Sequence, residues 1–321
     1  MVKLAVVIPY FNPAGYVSHE RKLARCLTAY QSVGLAEHVY LTGAGGPAPL
    51  GLKTAFWDED CPFLWHKERL INLAAERLPS EYTHVVWSDS DILVGPDWAD
   101  AVTRAFHAAK LVQAFRVARY RGTDGTLHRT RVSSLLRGDD GAMGLVWGAC
   151  RTLFTDGPGL FDRAVVGGGD SILGRAVHQR YAAPSVPWLR VHRELLARSW
   201  SSGLLAEQDA WVAAAARWLG TGGVASASAD IEVLEHGTRE MRRYSERQLL
   251  LAELLPALHL VDDGNRVLRW SALGMTVVEP GVRAYFHSRR EDEGAGAPAV
   301  GSPMVAAPAV GAQAVAAEPA A

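Results

Sequence analysis

Short apolar runs alternate with amphipathic segments over the first 118 residues. The apolar runs, which predict strands, are Leu4–Ile8, His38–Leu41, Thr54–Trp57, the run that begins at Thr83, and Leu111–Val117. Apolar residues at helical spacing predict helices over Ser18–Val33, with Ser18 as N-cap, over Lys67–Leu78 and over about Asp97–Ala109. Strands that alternate with helices predict an α/β fold with a mostly parallel sheet, whose ligand lies at the carboxyl ends of the strands.

The pattern loosens after residue 118. The Arg-rich stretch Arg119–Arg137 predicts no defined element, whereas Asp170–Arg180, Glu207–Leu219 and Glu240–Leu255 have helical patterns. From Glu291 the chain is mostly Ala, Pro, Val and Gly, and this composition lacks bulky core residues. We therefore expect one folded domain over residues 1–290 and a disordered tail over 291–321.

Two aspartates lie at the exit of the apolar run Thr83–Val94. Asp89 and Asp91 are two residues apart, so their side chains share one face of an extended chain. They can converge on one hard cation, or on a metal and a ribose. The alternative is a strand that ends in an Asx turn, because Asp and Ser favour turns after apolar runs.

A glycine turn places a third carboxylate ahead of a predicted helix, in Val165–Ser171. Gly167, Gly168 and Gly169 allow a positive-φ turn, and Asp170 is well placed to cap the helix. A catalytic base on a tight turn would use the same features, because glycine lets a substrate approach the backbone. The two roles are compatible.

A histidine and several arginines follow the predicted strand that begins at Ile231. His236 could complete a metal shell with Asp91, and the arginines that follow, Arg243 and Arg247 among them, could neutralise a diphosphate. The alternative is a surface histidine ahead of an exposed, arginine-rich helix.

Taken in order, these segments resemble the GT-A glycosyltransferases. The segments are AVVIPYFN, VVWSDSDILV, GLVWGACRTLF, VVGGGD and EHGTREMRRYSER. They resemble in particular the bacterial and viral family 2-like enzymes and, more distantly, the galactosyltransferase group. The similarity extends over about residues 4–290.

The resemblance implies a nucleotide-diphospho-sugar donor, UDP-linked, and a divalent ion, Mn²⁺ or Mg²⁺. It also implies a donor half over about residues 1–118, an acceptor and metal half over about 119–290, and a role for each matching residue. These roles are donor binding for Pro9, Tyr10, Asn12, Asp89, Arg243 and Arg247, metal binding for Asp91, Asp89 and His236, the catalytic base for Asp170, and the acceptor side for Trp147, Gly148, Gly168 and Gly169.

The expected reaction moves a sugar to a hydroxyl of a glycan, a lipid-linked or a small-molecule acceptor. A base at Asp170 opposite a metal-bound leaving group implies inversion, and retention remains possible if Asp170 is merely a cap. Two other functions stay open. One is a sugar-nucleotidyltransferase, although Pro9–Tyr16 has one glycine and no basic residue for a triphosphate; the other is a catalytically silent carbohydrate-binding or scaffold protein.

Length and composition indicate which kinds of protein this chain can be. The chain has 321 residues with 49% apolar content, enough for a sizeable core, and a net charge of −1. Four acidic residues lie from Glu291 onward, so residues 1–290 have a net charge of +3, which does not favour nucleic-acid binding.

The three cysteines, Cys26, Cys61 and Cys150, are widely spaced, as is typical of proteins in a reducing compartment. Without a signal sequence or a transmembrane run of about 18 apolar residues, we expect a cytoplasmic protein.

Overall fold

A computed structural model describes residues 1–122, 124–137, 141–181, 187–235, 242–244 and 246–292. The strands are β1 Leu4–Phe11, β2 Val39–Ala44, β3 Thr54–Asp58, β4 His84–Ser88, β5 Ile92–Val94, β6 Leu111–Gln113, β7 Val117–Arg121, β8 Leu127–Val132, β9 Val146–Cys150, β10 Val224–Ser226, β11 Asp230–Leu234, β12 Leu260–Val261 and β13 Arg269–Trp270. The α-helices are α1 Val17–Ser32, α2 Lys67–Arg77, α3 Trp98–Phe106, α4 Ser134–Arg137, α5 Thr152–Thr155, α6 Gly169–Tyr181, α7 Pro187–Ser199, α8 Ser202–Leu219, α9 Pro256–His259, α10 Ala272–Val277 and α11 Glu279–Ser288.

The main sheet has seven strands in the order β10-β6-β9-β4-β1-β2-β3. Strands β4, β1, β2 and β3 are parallel, and β9 runs antiparallel to both of its neighbours. The expected mixed α/β fold, with a mostly parallel sheet flanked by helices, is confirmed. A second sheet, in the order β5-β11-β7-β8, lies beside the site described below.

The centre of the main sheet is buried on both faces. Along β1, Ala5 and Val7 belong to one hydrophobic cluster, and Val6 and Ile8 belong to the other. Helix α2 packs in the first cluster, whereas α1 and α3 pack in the second. Burial on both faces explains why this strand is continuously apolar in sequence.

The structure corrects several sequence predictions. The run Leu111–Val117 divides between β6 and β7, which belong to different sheets. The unassigned stretch from Arg119 forms the β7–β8 hairpin and α4, and most β8 residues are exposed, so no apolar alternation marked it. In place of the long helix Glu240–Leu255, the described residues form a short 3₁₀ helix at Glu246–Leu251.

Two predicted helix caps also differ from the structure. Helix α1 begins at Val17, so Ser18 lies inside it, and α6 begins at Gly169, so Asp170 lies in its first turn. Within the described residues, no helix has the length and apolar character needed to cross a membrane. The disordered tail was expected to begin at Glu291, but Glu291 is buried and Asp292 bonds the first turn of α1, so these two residues pack on the domain. Residues 293–321 lie outside the described residues.

Candidate active site

The site forms at the carboxyl ends of β1 and β4. The parallel register pairs Val7 with Trp87, so Pro9 and Asp89 follow at the same edge of the sheet. The Asp89 N–H donates to the carbonyl of Leu145 at 3.0 Å. This edge therefore presents Asp89 beside the loop that enters β9.

A buried lysine joins two of the predicted carboxylates. Lys67 Nζ, at the first position of α2, lies 2.6 Å from Asp89 Oδ1 and 2.9 Å from Asp170 Oδ2. The Lys67 side chain is 6% exposed, against 30% for Asp89 and 27% for Asp170. The buried ammonium thus contacts two partly exposed carboxylates, and it brings the strand exit and the glycine turn into one site.

Burial and charge set the protonation of this group. Desolvation alone would lower the pKa of Lys67, but Asp170 and Asp89 raise it above its ordinary value. Burial raises the pKa of Asp89 to about 6, against the opposing effect of Lys67. Burial also raises the pKa of the neighbouring Glu68 to about 8. Glu68 therefore keeps its proton at neutral pH.

The backbone approaches two carboxyl groups closely at glycine residues. A Cβ at Gly144 would lie 2.7 Å from Asp170 Oδ2, and a Cβ at Gly169 would overlap the Glu68 side chain. Leu145, next to Gly144, has a φ of 82°, a conformation that costs a non-glycine residue free energy. The backbone therefore approaches both carboxyl groups closely and fixes their position.

Two further glycines form the predicted turn. Gly167 and Gly168 have positive φ values of 88° and 113°. A Cβ at Gly167 would lie 3.1 Å from the Trp65 ring and 3.4 Å from Arg247 Nη1. The predicted donor-binding residue Arg247 therefore packs directly behind the turn that carries Asp170.

The two predicted donor-binding arginines have different surroundings. Arg247 is buried, its guanidinium lies 6.0 Å from the Trp65 ring centre, and Nη1 donates to the Tyr285 hydroxyl at 3.2 Å. Arg243 is exposed and pairs with Glu246 at 2.7 Å. Arg247 is therefore held in the interior and Arg243 lies at the surface, and donor binding by either residue stays a prediction.

The chemistry of the carboxylates fits a hard divalent ion. Mg²⁺ is commonly held by one or two carboxylates together with substrate phosphates, and Mn²⁺ also suits carboxylate ligands. Asp91 and Asp89 provide such oxygens, although Asp89 Oδ1 already forms an ion pair with Lys67. Among the described residues, no three His, Cys, Asp or Glu side chains form a complete ligand set. The role of Asp91 as a metal ligand stays a prediction.

The predicted metal ligand His236 lies outside the described residues. Two residues before His236, the Leu234 N–H donates to the Asp91 carbonyl at 2.8 Å, and β11 pairs with β5. The chain is therefore close to Asp91 at this point. The role of His236 as a ligand stays a prediction.

The remaining predicted residues support the site from within the fold. Pro9 is buried in β1, and the Asn12 side chain closes its own loop by bonding the N–H and carbonyl of Tyr16 at 2.9 and 2.8 Å. Burial raises the pKa of Tyr10 to about 12, so its hydroxyl stays protonated. These contacts favour a role in shaping the strand exit.

Two predicted acceptor-side residues are part of the core. Trp147 is fully buried, and its Nε1 donates to the Met143 carbonyl at 2.8 Å. A Cβ at Gly148 would lie 2.8 Å from the Val86 side chain. Both residues therefore pack within the fold, and their place on the acceptor side stays a prediction.

Comparison with known proteins gives matches in structure alone. No protein-family model and no curated protein sequence matches the chain. Staphylococcus aureus TarS 1-349 matches with a TM-score of 0.37 and 11% identity, over 54% of this chain and 54% of that fragment. A Drosophila β1,4-galactosyltransferase 7 variant, solved with manganese, UDP-Gal and xylobiose, matches with a TM-score of 0.34 and 14% identity, over 55% of this chain and 61% of that one. The matches to both proteins thus span less than two thirds of their length.

The matched structures include GT-A glycosyltransferases, the group that the sequence motifs resemble. They also include the 4-diphosphocytidyl-2C-methyl-D-erythritol synthase of Anaerococcus prevotii, with a TM-score of 0.36 and 9% identity over 77% of this chain and 98% of that one. Likeness at this level does not distinguish one reaction from another. Function is therefore argued from the side chains of this chain.

Proposed function

We propose that this protein transfers a sugar from a UDP-linked donor to an acceptor hydroxyl, with inversion and with help from a divalent ion. The observation that carries the proposal is the Lys67 ammonium between Asp89 and Asp170. This contact joins a carboxylate at a strand end, where α/β sheets bind nucleotides, to a carboxylate placed by a glycine turn.

The first chemical requirement is neutralisation of the leaving diphosphate. Mn²⁺ or Mg²⁺ held by Asp91, with His236 as a further candidate ligand, would supply positive charge to the phosphate oxygens. Arg247 would add a guanidinium, since it is buried and lies against the glycine turn and 6.0 Å from the Trp65 ring centre. Guanidinium groups match the geometry of phosphate oxygens well.

The second requirement is removal of the proton from the attacking hydroxyl. Asp170 is the candidate base, because it is partly exposed and held by Lys67 and by the close approach of Gly144. A base within hydrogen-bond reach of the hydroxyl accepts its proton as the new glycosidic bond forms. Attack from the face opposite the leaving UDP inverts the anomeric carbon.

The cost of this cluster favours an enzyme over a silent scaffold. Asp89 and Asp170 contact one buried ammonium, and burial of charged groups costs free energy that apolar packing would avoid. Strongly shifted pKa values that gather at an open sheet edge are typical of functional sites. A scaffold protein has no need of such an arrangement.

The sugar-nucleotidyltransferase alternative requires a loop that binds a triphosphate. The loop after β1 has one glycine and no basic residue, and Asn12 uses its amide within the loop. This favours a diphosphate-linked donor over a nucleoside triphosphate.

A thermal-shift screen tests donor binding. The full chain is heated with UDP-glucose, UDP-galactose, UDP-N-acetylglucosamine, UTP or CTP, each with and without MnCl₂. We expect a UDP-sugar to raise the Tm in the presence of Mn²⁺, because a ligand that binds the folded state stabilises it. Stabilisation by a triphosphate and by none of the UDP-sugars would contradict the proposal.

A further inference from the structure

The chain after α11 folds back onto the first turn of α1. Residues 288–292, here called the C-terminal strap, provide the cap that Tyr16, the N-cap residue of α1, does not supply from its own side chain. Asp292 accepts hydrogen bonds from the N–H groups of Val17 and Ser18 at 3.1 and 2.7 Å. A carboxylate at a helix N-terminus also interacts favourably with the helix dipole.

Further contacts fix the strap. The Tyr16 hydroxyl donates to the Phe286 carbonyl at 2.7 Å and accepts from the Arg290 N–H at 3.0 Å. Glu291 is 1% exposed, lies 2.8 Å from His19 Nε2 and pairs with the Arg289 guanidinium. The strap is therefore a packed part of the domain.

These contacts place Arg289 against the same two aromatic residues as Arg247. The Arg289 guanidinium lies 5.2 Å from the Trp65 ring centre and 5.9 Å from that of Tyr285, the two aromatic residues that Arg247 also contacts. Both arginines are buried, and in each the Nε has no hydrogen-bond partner among the described residues. Two buried guanidinium donors are thus available at one place.

Charged groups of both signs act on Lys22. Burial lowers the pKa of Lys22 to about 8, and Arg242 and Arg289 act in the same direction, whereas Asp91 and Glu291 oppose it. Arg289 therefore belongs to the same charged region as Asp91, the predicted metal ligand.

We propose that Arg289 binds the diphosphate of the donor together with Arg247, and that Glu291 is the positioning residue that holds Arg289 there. The inference rests on the proposed function and extends it, because it assigns the leaving group to a pocket completed by the C-terminal strap. The phosphate oxygens would accept from the guanidinium groups, whose planar shape suits them.

The simpler explanation is that Arg289 exists to anchor the strap through Glu291. If so, replacing Arg289 lowers stability but does not selectively weaken the binding of ligands that carry phosphate. The two explanations are therefore distinguished by comparing the affinity for UDP and pyrophosphate with the affinity for uridine.

The test measures binding of inorganic pyrophosphate, UDP and uridine to the full chain by calorimetry, with Mn²⁺ present. Wild type is compared with Arg289→Met, with Arg289→Gln, and with Arg290→Met as the control, since Arg290 is the exposed neighbour. We expect both Arg289 variants to bind UDP and pyrophosphate about 10- to 100-fold more weakly and uridine as before, from the usual contribution of hydrogen bonds to charged groups.

Glu291→Gln should give a smaller loss in the same two affinities, because Gln keeps the shape of Glu291 but not its charge. Folding of each variant is verified by its Tm. Wild-type UDP and pyrophosphate affinity in a folded Arg289 variant would overturn this inference and leave the proposed function intact. Absence of UDP binding by the wild type would overturn both.

Discussion

Lys67 Nζ lies 2.9 Å from Asp170 Oδ2, although the two residues are 103 positions apart in the chain. Lys67→Met should lower the free energy of unfolding by about 2–4 kcal/mol, because removal of one partner leaves the carboxylates without their buried counter-charge, and their partial exposure reduces the loss. Urea denaturation at pH 7 measures the change. Lys67→Arg keeps the charge and should lose less; equal stability of the wild type and the Met variant would refute this role.

Glu68 should make stability depend on pH. Its pKa is raised to about 8 from 4.5, so between these values the unfolded chain releases a proton that the folded chain keeps, and stability falls as pH rises. Lys67, Asp170 and Asp89 are the charged groups that act on it. Glu68→Gln stays neutral at every pH. Its Tm minus the wild-type Tm should therefore increase as the pH rises from about 5 to 8.

The matched control for this pH series is Glu76→Gln, an exposed residue of the same helix. Its Tm should follow that of the wild type across the series. A Glu68→Gln curve parallel to the wild-type curve would show that Glu68 titrates normally in the folded protein.

Asp91 should be required for binding of the donor with metal. Asp91→Ala removes the main carboxylate that the described residues offer to the ion, so Mn²⁺-dependent UDP affinity should fall at least about 10-fold. Calorimetry with UDP, with and without Mn²⁺, measures this. Asp100→Ala, at an exposed position on α3, is the control; an unchanged response to Mn²⁺ in Asp91→Ala would remove Asp91 from the metal site.

The end of the folded domain can be tested by two truncations. A chain of residues 1–292 should keep the wild-type Tm, because the composition of residues 293–321 provides little apolar area to bury. A chain of residues 1–290 loses the Asp292 cap and the buried Glu291, and should melt several degrees lower. Equal Tm values for the two chains would show that Glu291 and Asp292 contribute no stability.

The parallel part of the fold was predictable because its strands are buried on both faces. Such strands are continuous apolar runs, as in β1 and β4. The β7–β8 hairpin was not predictable, since β8 is largely exposed and carries no alternating pattern. The strap was missed for a different reason: its contacts with α1 join residues more than 270 positions apart.

The site was predictable in part. The strand exit with Asp89 and the glycine turn with Asp170 were identified separately, but sequence order does not show that Lys67 joins them. One signal was present in His66–Arg69, four consecutive ionisable residues ahead of Leu70 and Ile71. Successive helical residues are about 100° apart, so such a run does not fit on one solvated face, and all four residues are in fact buried.

The most direct test of glycosyl transfer follows the nucleotide product. The full chain is incubated with Mn²⁺, the UDP-sugar that stabilises it and a panel of glycan acceptors, and UDP release is measured for the wild type and for Asp170→Asn. A parallel reaction with UTP and a sugar 1-phosphate measures pyrophosphate release. We predict acceptor-dependent UDP release by the wild type, and transfer slowed by about 10²–10⁴-fold in Asp170→Asn with UDP affinity nearly unchanged. Pyrophosphate release without UDP release, or equal transfer by both proteins, would contradict the account.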